Sequence, residues 1–121
     1  MKKILLIEDD PFIIDIYSTK LKETGFEVDI TTNGEDALEK IKEKPDLILL
    51  DIVLPGMDGW EILRKIKEDK RLKSIPVVVL SNLGQKAEVE KSLQMGAEKY
   101  LVKSNYTPSE VVEQVKECLK K

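Results

Sequence analysis

Histidine is absent from the 121 residues, and cysteine occurs once, at Cys118. Without histidine the chain cannot build a histidine-ligated metal site, a serine–histidine catalytic pair or a phosphohistidine carrier. A single cysteine cannot close an internal disulfide, which favours a reducing compartment. A domain of this length typically buries roughly two-thirds of the surface of its unfolded chain, so it needs no such covalent link.

Long apolar runs are missing as well. The first apolar run, residues 4–7, is too short for a signal peptide or a membrane span. We therefore expect a cytoplasmic protein with no membrane insertion. The 20 Lys and Arg residues are outnumbered by 23 Asp and Glu residues, and no basic cluster stands apart from acids, which disfavours direct binding to nucleic acid.

Short β-branched runs alternate with helical patterns along the chain. The runs at 3–7, 27–31, 47–51, 77–81 and 99–102 predict five strands. Three of these runs are almost wholly apolar, which is typical of parallel strands covered on both faces. The pattern predicts one α/β domain over residues 1–121, with no output domain. It is a doubly wound, flavodoxin-like parallel sheet of strand order 2-1-3-4-5, with five helices on both faces.

Helix boundaries follow from capping residues and periodicity. Asp10-Pro11 predicts the start of the first helix, and Thr107-Pro108-Ser109-Glu110 predicts a capping box at the start of the fifth. Periodicity predicts the other three at 35–44, 60–69 and 86–95. The fourth is the least apolar, and its candidates for burial are Ala87, Val89, Leu93 and Met95. Few buried contacts mark a segment that shifts easily.

Acidic residues follow the first and third predicted strands. Glu8, Asp9 and Asp10 come directly after strand one, and Asp51 ends strand three. In the predicted strand order these ends meet at the switch point, where α/β sheets bind ligands. Clustered carboxylates repel, and Mg²⁺ held by one or two of them, a carbonyl oxygen and water would relieve that repulsion. The alternative is that some acids only cap a helix, as we expect of Asp10.

A hydroxyl and an ammonium group reach the same edge of the sheet. Ser81 ends strand four, and Lys103 follows strand five. Together with a metal and a nucleophilic carboxylate they make a site suited to phosphoryl transfer. Asp51 would attack phosphorus, Mg²⁺ and Lys103 would neutralise the phosphoryl oxygens, and Ser81 would donate a hydrogen bond to one of them.

These residues resemble the receiver domains of two-component response regulators, of the single-domain, chemotaxis-regulator-like type. The resemblance rests on motifs spread over essentially the whole chain: Glu8-Asp9-Asp10, Leu-Ile-Leu-Leu-Asp51, Pro55-Gly56-Met57-Asp58-Gly59, Val-Val-Val-Leu-Ser81, Gly96-Ala97 and Tyr100-Leu101-Val102-Lys103. It implies a phosphoacceptor that catalyses only its own phosphorylation and dephosphorylation, and is otherwise not an enzyme.

The resemblance also implies a role for each matching position. Asp51 would be the phosphoacceptor and Lys103 the phosphate-binding lysine. Asp9, Asp51 and the Val53 backbone carbonyl would bind Mg²⁺ directly, and Glu8 would act through a metal-bound water. Ser81 and Tyr100 would form a switch pair. As Ser81 turns to the phosphoryl group, Tyr100 would rotate inward and alter the face formed by helix four, strand five and helix five.

The family also implies the partners. The phosphodonor would be a phosphohistidine on a sensor histidine kinase or a histidine phosphotransfer protein. The output would pass to an unidentified downstream protein, from a monomer or a phosphorylation-dependent dimer.

Two positions depart from the family pattern. Receivers usually have proline in a cis bond after the phosphate-binding lysine, whereas Ser104 follows Lys103 here. A cis bond before a non-proline residue costs about 2.5–4 kcal/mol, so we expect either a trans bond with a rearranged loop at 104–107 or a strained cis bond. Asn82, Leu83 and Val53 frame the entrance to Asp51 with more bulk than many receivers have, which predicts a longer-lived phosphoryl group.

Three other functions compete with this interpretation. A nucleotide or flavin module would place glycine or hydroxyl residues after strand one, where this chain has acids. A metal-dependent phosphohydrolase would need a further acid/base near Asp51, and Val53 occupies the position two residues on. A pseudo-receiver would share the fold and act only as a protein-binding surface. This last alternative is disfavoured by the joint presence of Asp51, Asp9, Ser81 and Lys103.

Overall fold

A computed structural model describes residues 2–120, and its elements alternate strictly between strand and helix. The strands are β1 (Lys3–Ile7), β2 (Glu27–Thr31), β3 (Leu47–Leu50), β4 (Val77–Ser81) and β5 (Lys99–Val102). The helices are α1 (Pro11–Glu23), α2 (Gly34–Ile41), α3 (Gly59–Glu68), α4 (Lys86–Gln94) and α5 (Pro108–Leu119). All four strand pairings are parallel, in the order β2-β1-β3-β4-β5, which confirms the predicted fold class.

The sheet separates two apolar clusters, because successive side chains of a strand point to opposite faces. Leu5 and Ile7 of β1 pack with buried residues of α2 and α3. Ile4 and Leu6 of the same strand pack with buried residues of α1 and α5. The three central strands β1, β3 and β4 are covered on both sides, which explains why they are almost continuously apolar.

Helix starts follow the predicted capping chemistry. The Asp10 side chain accepts a hydrogen bond from the Phe12 amide at 2.9 Å, which confirms its role as a cap. Thr107 and Glu110 exchange side-chain bonds with each other's amides at 3.1 and 2.8 Å, forming the predicted capping box. Within residues 2–120, no helix combines the length and apolar content needed to cross a membrane.

The predicted end of α2 at residue 44 is wrong. The helix ends at Ile41, and Lys44 takes a left-handed conformation with φ of 56°. The following Pro45 disfavours a helical conformation at Lys44, so the helical pattern of the sequence overran its true end. The predicted ends of β3, α3 and α4 are each off by one residue.

The prediction of the buried face of α4 is also wrong in part. Ala87 and Leu93 are exposed, and Val89 and Met95 are only half-buried. The buried residue of this helix is Ser92, whose hydroxyl donates to the Val89 carbonyl at 2.8 Å. A serine can take this place because the i−3 carbonyl satisfies its hydroxyl. The helix therefore rests on the sheet through very little apolar surface.

Candidate functional site

The carboxyl ends of β1 and β3 bring three acidic side chains together. Glu8, Asp9 and Asp51 each offer one carboxylate oxygen, and these oxygens lie within 4.8 Å of one another. Glu8 is 1% exposed and Asp51 is 6% exposed, whereas Asp9 lies at the surface. Burial of two like charges beside a third is costly unless a cation compensates them.

Lys103 supplies that cation from the end of β5. Its ammonium nitrogen donates to Glu8 Oε1 at 2.6 Å and to Asp51 Oδ2 at 3.2 Å. The Lys103 side chain is 10% exposed, so the ion pairs are shielded from water. Burial pulls the pKa of Lys103 down, but the bond to Glu8 and the charge of Asp51 outweigh it, and the pKa is raised.

The remaining oxygens of both acids accept hydrogen bonds from backbone amides. Glu8 Oε2 accepts from the amides of Asp9 and Asp10, each at 3.2 Å. Asp51 Oδ1 accepts from the Val53 amide at 3.2 Å. Burial raises the pKa of Glu8 to about 7, with the charge of Asp51 acting in the same direction and the Lys103 bond opposing it. Burial therefore disfavours the charged form of Glu8 more strongly than the bond from Lys103 favours it.

Hard oxygen donors are the ligands that Mg²⁺ prefers, and it is commonly held by one or two carboxylates together with water. The exposed carboxylate of Asp9 opens the cluster to solvent, which leaves room for such waters. The donor set of Glu8, Asp9 and Asp51 thus fits a dication. The position of the Val53 carbonyl as a further ligand stays a prediction.

The loop between β3 and α3 approaches the backbone of Asp51 and Ile52 very closely. The Gly59 amide donates to the Ile52 carbonyl at 2.8 Å. A Cβ added at Gly59 would lie 2.5 Å from Ile52 Cα and 2.6 Å from the Asp51 carbonyl oxygen. Gly56, with φ of 74°, supports the turn that precedes this contact. The loop glycines thereby fix the backbone that carries Asp51.

Ser81 and Tyr100 lie on the neighbouring strands β4 and β5, beside the crevice formed by Glu8, Asp9 and Asp51. Ser81 is fully buried at the end of β4, and its Oγ accepts a hydrogen bond from the Leu83 amide at 3.3 Å. Tyr100 of β5 is half-buried, and its hydroxyl donates to the Leu83 carbonyl. The tyrosine ring packs with Leu83 against the apolar cluster of α2 and α3. The two predicted switch residues therefore contact the same loop residue.

The bond between Lys103 and Ser104 is trans. Residues Lys103–Asn105 form a single 3₁₀ turn that leads into α5. The trans bond agrees with the first of the two predicted alternatives, and the rearrangement of the loop relative to other receivers stays a prediction. The turn keeps Lys103 pointed at the acids although the family's proline is missing.

The sequence predicts that the site residues lie at one edge of the sheet, but it does not reveal the direct ion pairs of Lys103 with Glu8 and Asp51. The predicted compensation of the acids is a metal ion, and the predicted partner of the lysine is a phosphoryl group. The only available signal was the placement of one lysine after strand five, opposite the acids in the predicted strand order.

Comparison with known proteins gives consistent matches. The family model of the response regulator receiver domain matches residues 4–116. The chain is 34% identical over 121 residues to the alkaline phosphatase synthesis transcriptional regulatory protein PhoP of Bacillus subtilis, covering 99% of this chain and 49% of that protein. It is 33% identical to the phosphate regulon transcriptional regulatory protein PhoB of Rhizobium meliloti, covering 100% and 53%. The chain thus spans about half the length of these curated relatives.

Solved structures match over nearly their whole length. The BeF3-activated N-terminal receiver domain of Klebsiella pneumoniae RstA superposes with a TM-score of 0.90 at 33% identity, covering 99% of this chain and 100% of that chain. The Mn(2+)-bound form of response regulator Rcp1 superposes with a TM-score of 0.84 at 32% identity, covering 97% and 91%.

Proposed function

The chain belongs to the response regulator receiver domain family, and from that premise we propose that it accepts a phosphoryl group on Asp51 in a Mg²⁺-dependent reaction. The donor is a phosphohistidine on a sensor histidine kinase or a histidine phosphotransfer protein, and the site of action is the cytoplasm. The proposal concerns the phosphoacceptor unit, because the transcriptional names of the relatives describe proteins about twice this length.

The observation that carries the proposal is the ammonium of Lys103 between two buried carboxylates. Its contacts of 2.6 Å to Glu8 and 3.2 Å to Asp51 support this proposal, because a cation already lies beside the carboxylate that would act as the nucleophile. A preorganised charge of this kind stabilises the charge that develops on the transferred group. A surface used only for protein binding would not need to bury this triad, since the desolvation of charges is costly.

The acidic residues of the site bind the metal and receive the phosphoryl group. Asp9, Asp51 and the Val53 carbonyl would hold the metal, and Glu8 would reach it through water, because both Glu8 oxygens already accept hydrogen bonds. When bound, Mg²⁺ supplies the positive charge that lets an anionic donor approach these acids. An Asp51 carboxylate oxygen forms the new bond to phosphorus while the bond between phosphorus and the donor nitrogen breaks.

Lys103 and Ser81 then stabilise the product. The lysine loses part of its attraction to Asp51 once that carboxylate is phosphorylated to an acyl phosphate, and it can follow the negative charge onto the phosphoryl oxygens. The Ser81 hydroxyl donates a hydrogen bond to one of these oxygens. Both residues already lie at the carboxyl ends of strands that flank the crevice, so neither needs a large backbone movement.

The signal leaves through Ser81, Tyr100 and the face of α4, β5 and α5. Helix α4 buries only Ser92, and its N-cap residue Gln85 makes no side-chain capping bond. Weak attachment makes this helix the element that shifts most readily. The shifted face then binds a downstream protein or a second copy of the chain.

Intact-mass spectrometry after incubation with acetyl phosphate tests the proposal. We expect a mass increase of one phosphoryl group in the presence of Mg²⁺ and none in EDTA. Asp51→Asn should abolish the adduct, and the control Asp15→Asn, which changes an exposed aspartate of α1, should retain it. Absence of a Mg²⁺-dependent adduct that requires Asp51 would leave the pseudo-receiver as the better interpretation.

A further inference from the structure

The only tryptophan of the chain lies beneath a lysine of α4. The ammonium nitrogen of Lys91 stands 4.5 Å from the centroid of the Trp60 ring. Trp60 belongs to α3, where it is half-buried and packs against the apolar cluster of α2 and α3, whereas Lys91 is exposed. The face of an aromatic ring attracts a cation at this distance. The contact therefore joins α4 to α3.

Helix α4 has few other attachments to the rest of the domain. Its one buried residue is Ser92, and its N-cap residue Gln85 makes no side-chain capping bond. Leu93, its largest apolar side chain, is 45% exposed. A helix that buries so little apolar surface opens and shifts easily. The contact between Lys91 and Trp60 therefore accounts for a substantial part of what holds α4 in place.

The other end of this contact adjoins the backbone of Asp51. Trp60 directly follows Gly59, the first residue of α3. The Gly59 amide donates to the Ile52 carbonyl at 2.8 Å, and a Cβ on Gly59 would lie 2.6 Å from the Asp51 carbonyl oxygen. Backbone segments packed this tightly transmit displacements to one another. Direct contacts therefore lead from the backbone of Asp51 through the start of α3 to Lys91 of α4.

We propose that Lys91 is a positioning residue, which couples α4 to the phosphoacceptor through the ring of Trp60. This route runs through α3 and bypasses the switch pair of Ser81 and Tyr100. The inference rests on the proposed function, in which a phosphoryl group on Asp51 shifts α4. The contact holds α4 in the position seen here, and the shift breaks it. Lys91 therefore opposes activation, and its removal favours the phosphorylated form.

Hydrogen exchange of the amides of residues 89–94 tests whether Lys91 holds α4. Lysine, glutamine and arginine have similar helix propensities, so Lys91→Gln removes the charge with little other effect. We expect these amides to exchange about threefold faster in Lys91→Gln, whereas Lys91→Arg keeps a cation over the ring and should match wild type. The control Lys86→Gln removes an exposed charge of the same helix that lies 3.9 Å from Glu90, and it should not speed exchange. Equal exchange in wild type and Lys91→Gln would overturn the proposal.

A double-mutant cycle separates this role from a general effect on helix stability. Lys91 lies in the last turn of α4, where a positive charge also favours the helix dipole. In a Trp60→Leu background Lys91→Gln should therefore lose most of its effect on exchange, and the same acceleration there would mean that Lys91 acts on α4 alone. Proton NMR of wild type needs no variant: the ring current of Trp60 should shift the ε-methylene protons of Lys91 upfield of those of Lys86. Equal shifts would contradict the contact.

Binding of beryllofluoride with Mg²⁺ tests the coupling to Asp51. Because the contact opposes the shift of α4, Lys91→Gln should bind this phosphoryl analogue about threefold more tightly than wild type, and Lys91→Arg should not. The gain should persist in a Tyr100→Phe background, since the route bypasses the switch pair. Unchanged affinity in Lys91→Gln, or a gain that disappears with Tyr100→Phe, would refute the separate route. If wild type does not bind beryllofluoride, the phosphoacceptor proposal and the coupling both fail, while exchange and NMR still decide whether Lys91 holds α4 on Trp60.

Discussion

The stability of the protein should fall as pH rises through the range in which Glu8 ionises. Burial raises the pKa of Glu8 from 4.5 to about 7. Between these values the folded protein holds a proton that the unfolded chain has already lost, so each step up in pH favours the unfolded state. A shift of roughly 2.5 units at about 1.36 kcal/mol per unit corresponds to about 3 kcal/mol. The loss is complete above pH 7.

Glu8→Gln isolates this contribution. Glutamine keeps the shape of the side chain and removes the ionisation, so the variant should lack most of the decline seen in wild type. Urea unfolding in EDTA at several values between pH 5 and pH 8 gives the free energies of unfolding. Glu68→Gln is the control, since Glu68 is exposed. Within residues 2–120 this side chain forms a single ion pair, with Arg64 at 3.1 Å.

The difference in the free energy of unfolding between wild type and Glu8→Gln tests the cost of burying Glu8. We expect the difference in the free energy of unfolding between them to change by about 3 kcal/mol across this range, while the Glu68→Gln profile stays parallel to wild type. Addition of Mg²⁺ at pH 8 should restore stability to wild type, because a ligand that binds only the folded state stabilises it. A constant difference between wild type and Glu8→Gln at every pH would refute the assigned cost of burying this acid.

Three further substitutions test separate parts of the account. Gly59→Ala places a Cβ 2.6 Å from the Asp51 carbonyl oxygen. It should lower the free energy of unfolding in urea by about 1–3 kcal/mol and slow phosphorylation by acetyl phosphate. In the control Gly84→Ala the new Cβ meets only contacts of 3.5 Å or more, so stability and phosphorylation rate should both stay unchanged. Thr107→Ala removes the capping box of α5 and should lower stability by about 1 kcal/mol with phosphorylation unchanged; unaltered stability would show that the cap is redundant. Asn82→Ala opens the exposed entrance to the crevice and should shorten the lifetime of the phosphoryl group, whereas an unchanged decay rate would remove the proposed shielding.

The sheet was predictable because its signals are strong and local. The apolar runs of β1, β3 and β4 are possible only for strands covered on both faces, and a right-handed crossover restricts how they connect. The placement of Glu8, Asp51, Ser81 and Lys103 at one edge then follows from the strand order alone.

The details that sequence reasoning missed depend on tertiary distances. No pattern distinguishes a lysine that awaits a phosphoryl group from one already paired with Glu8 and Asp51. In α4 the apolar pattern is too weak to identify the buried face, so it predicts burial of Leu93, whereas the structure buries Ser92.

In the proposed function, phosphorylation of Asp51 depends on the binding of a dication in the crevice formed by Glu8, Asp9 and Asp51. Isothermal titration calorimetry with Mg²⁺ at pH 8 measures this directly, with Asp9→Asn as the variant that lacks the exposed ligand. We expect one ion per chain with a dissociation constant in the millimolar range, and a markedly weaker constant in Asp9→Asn. Absence of a binding signal in wild type at millimolar Mg²⁺, or identical binding in the variant, would contradict the account.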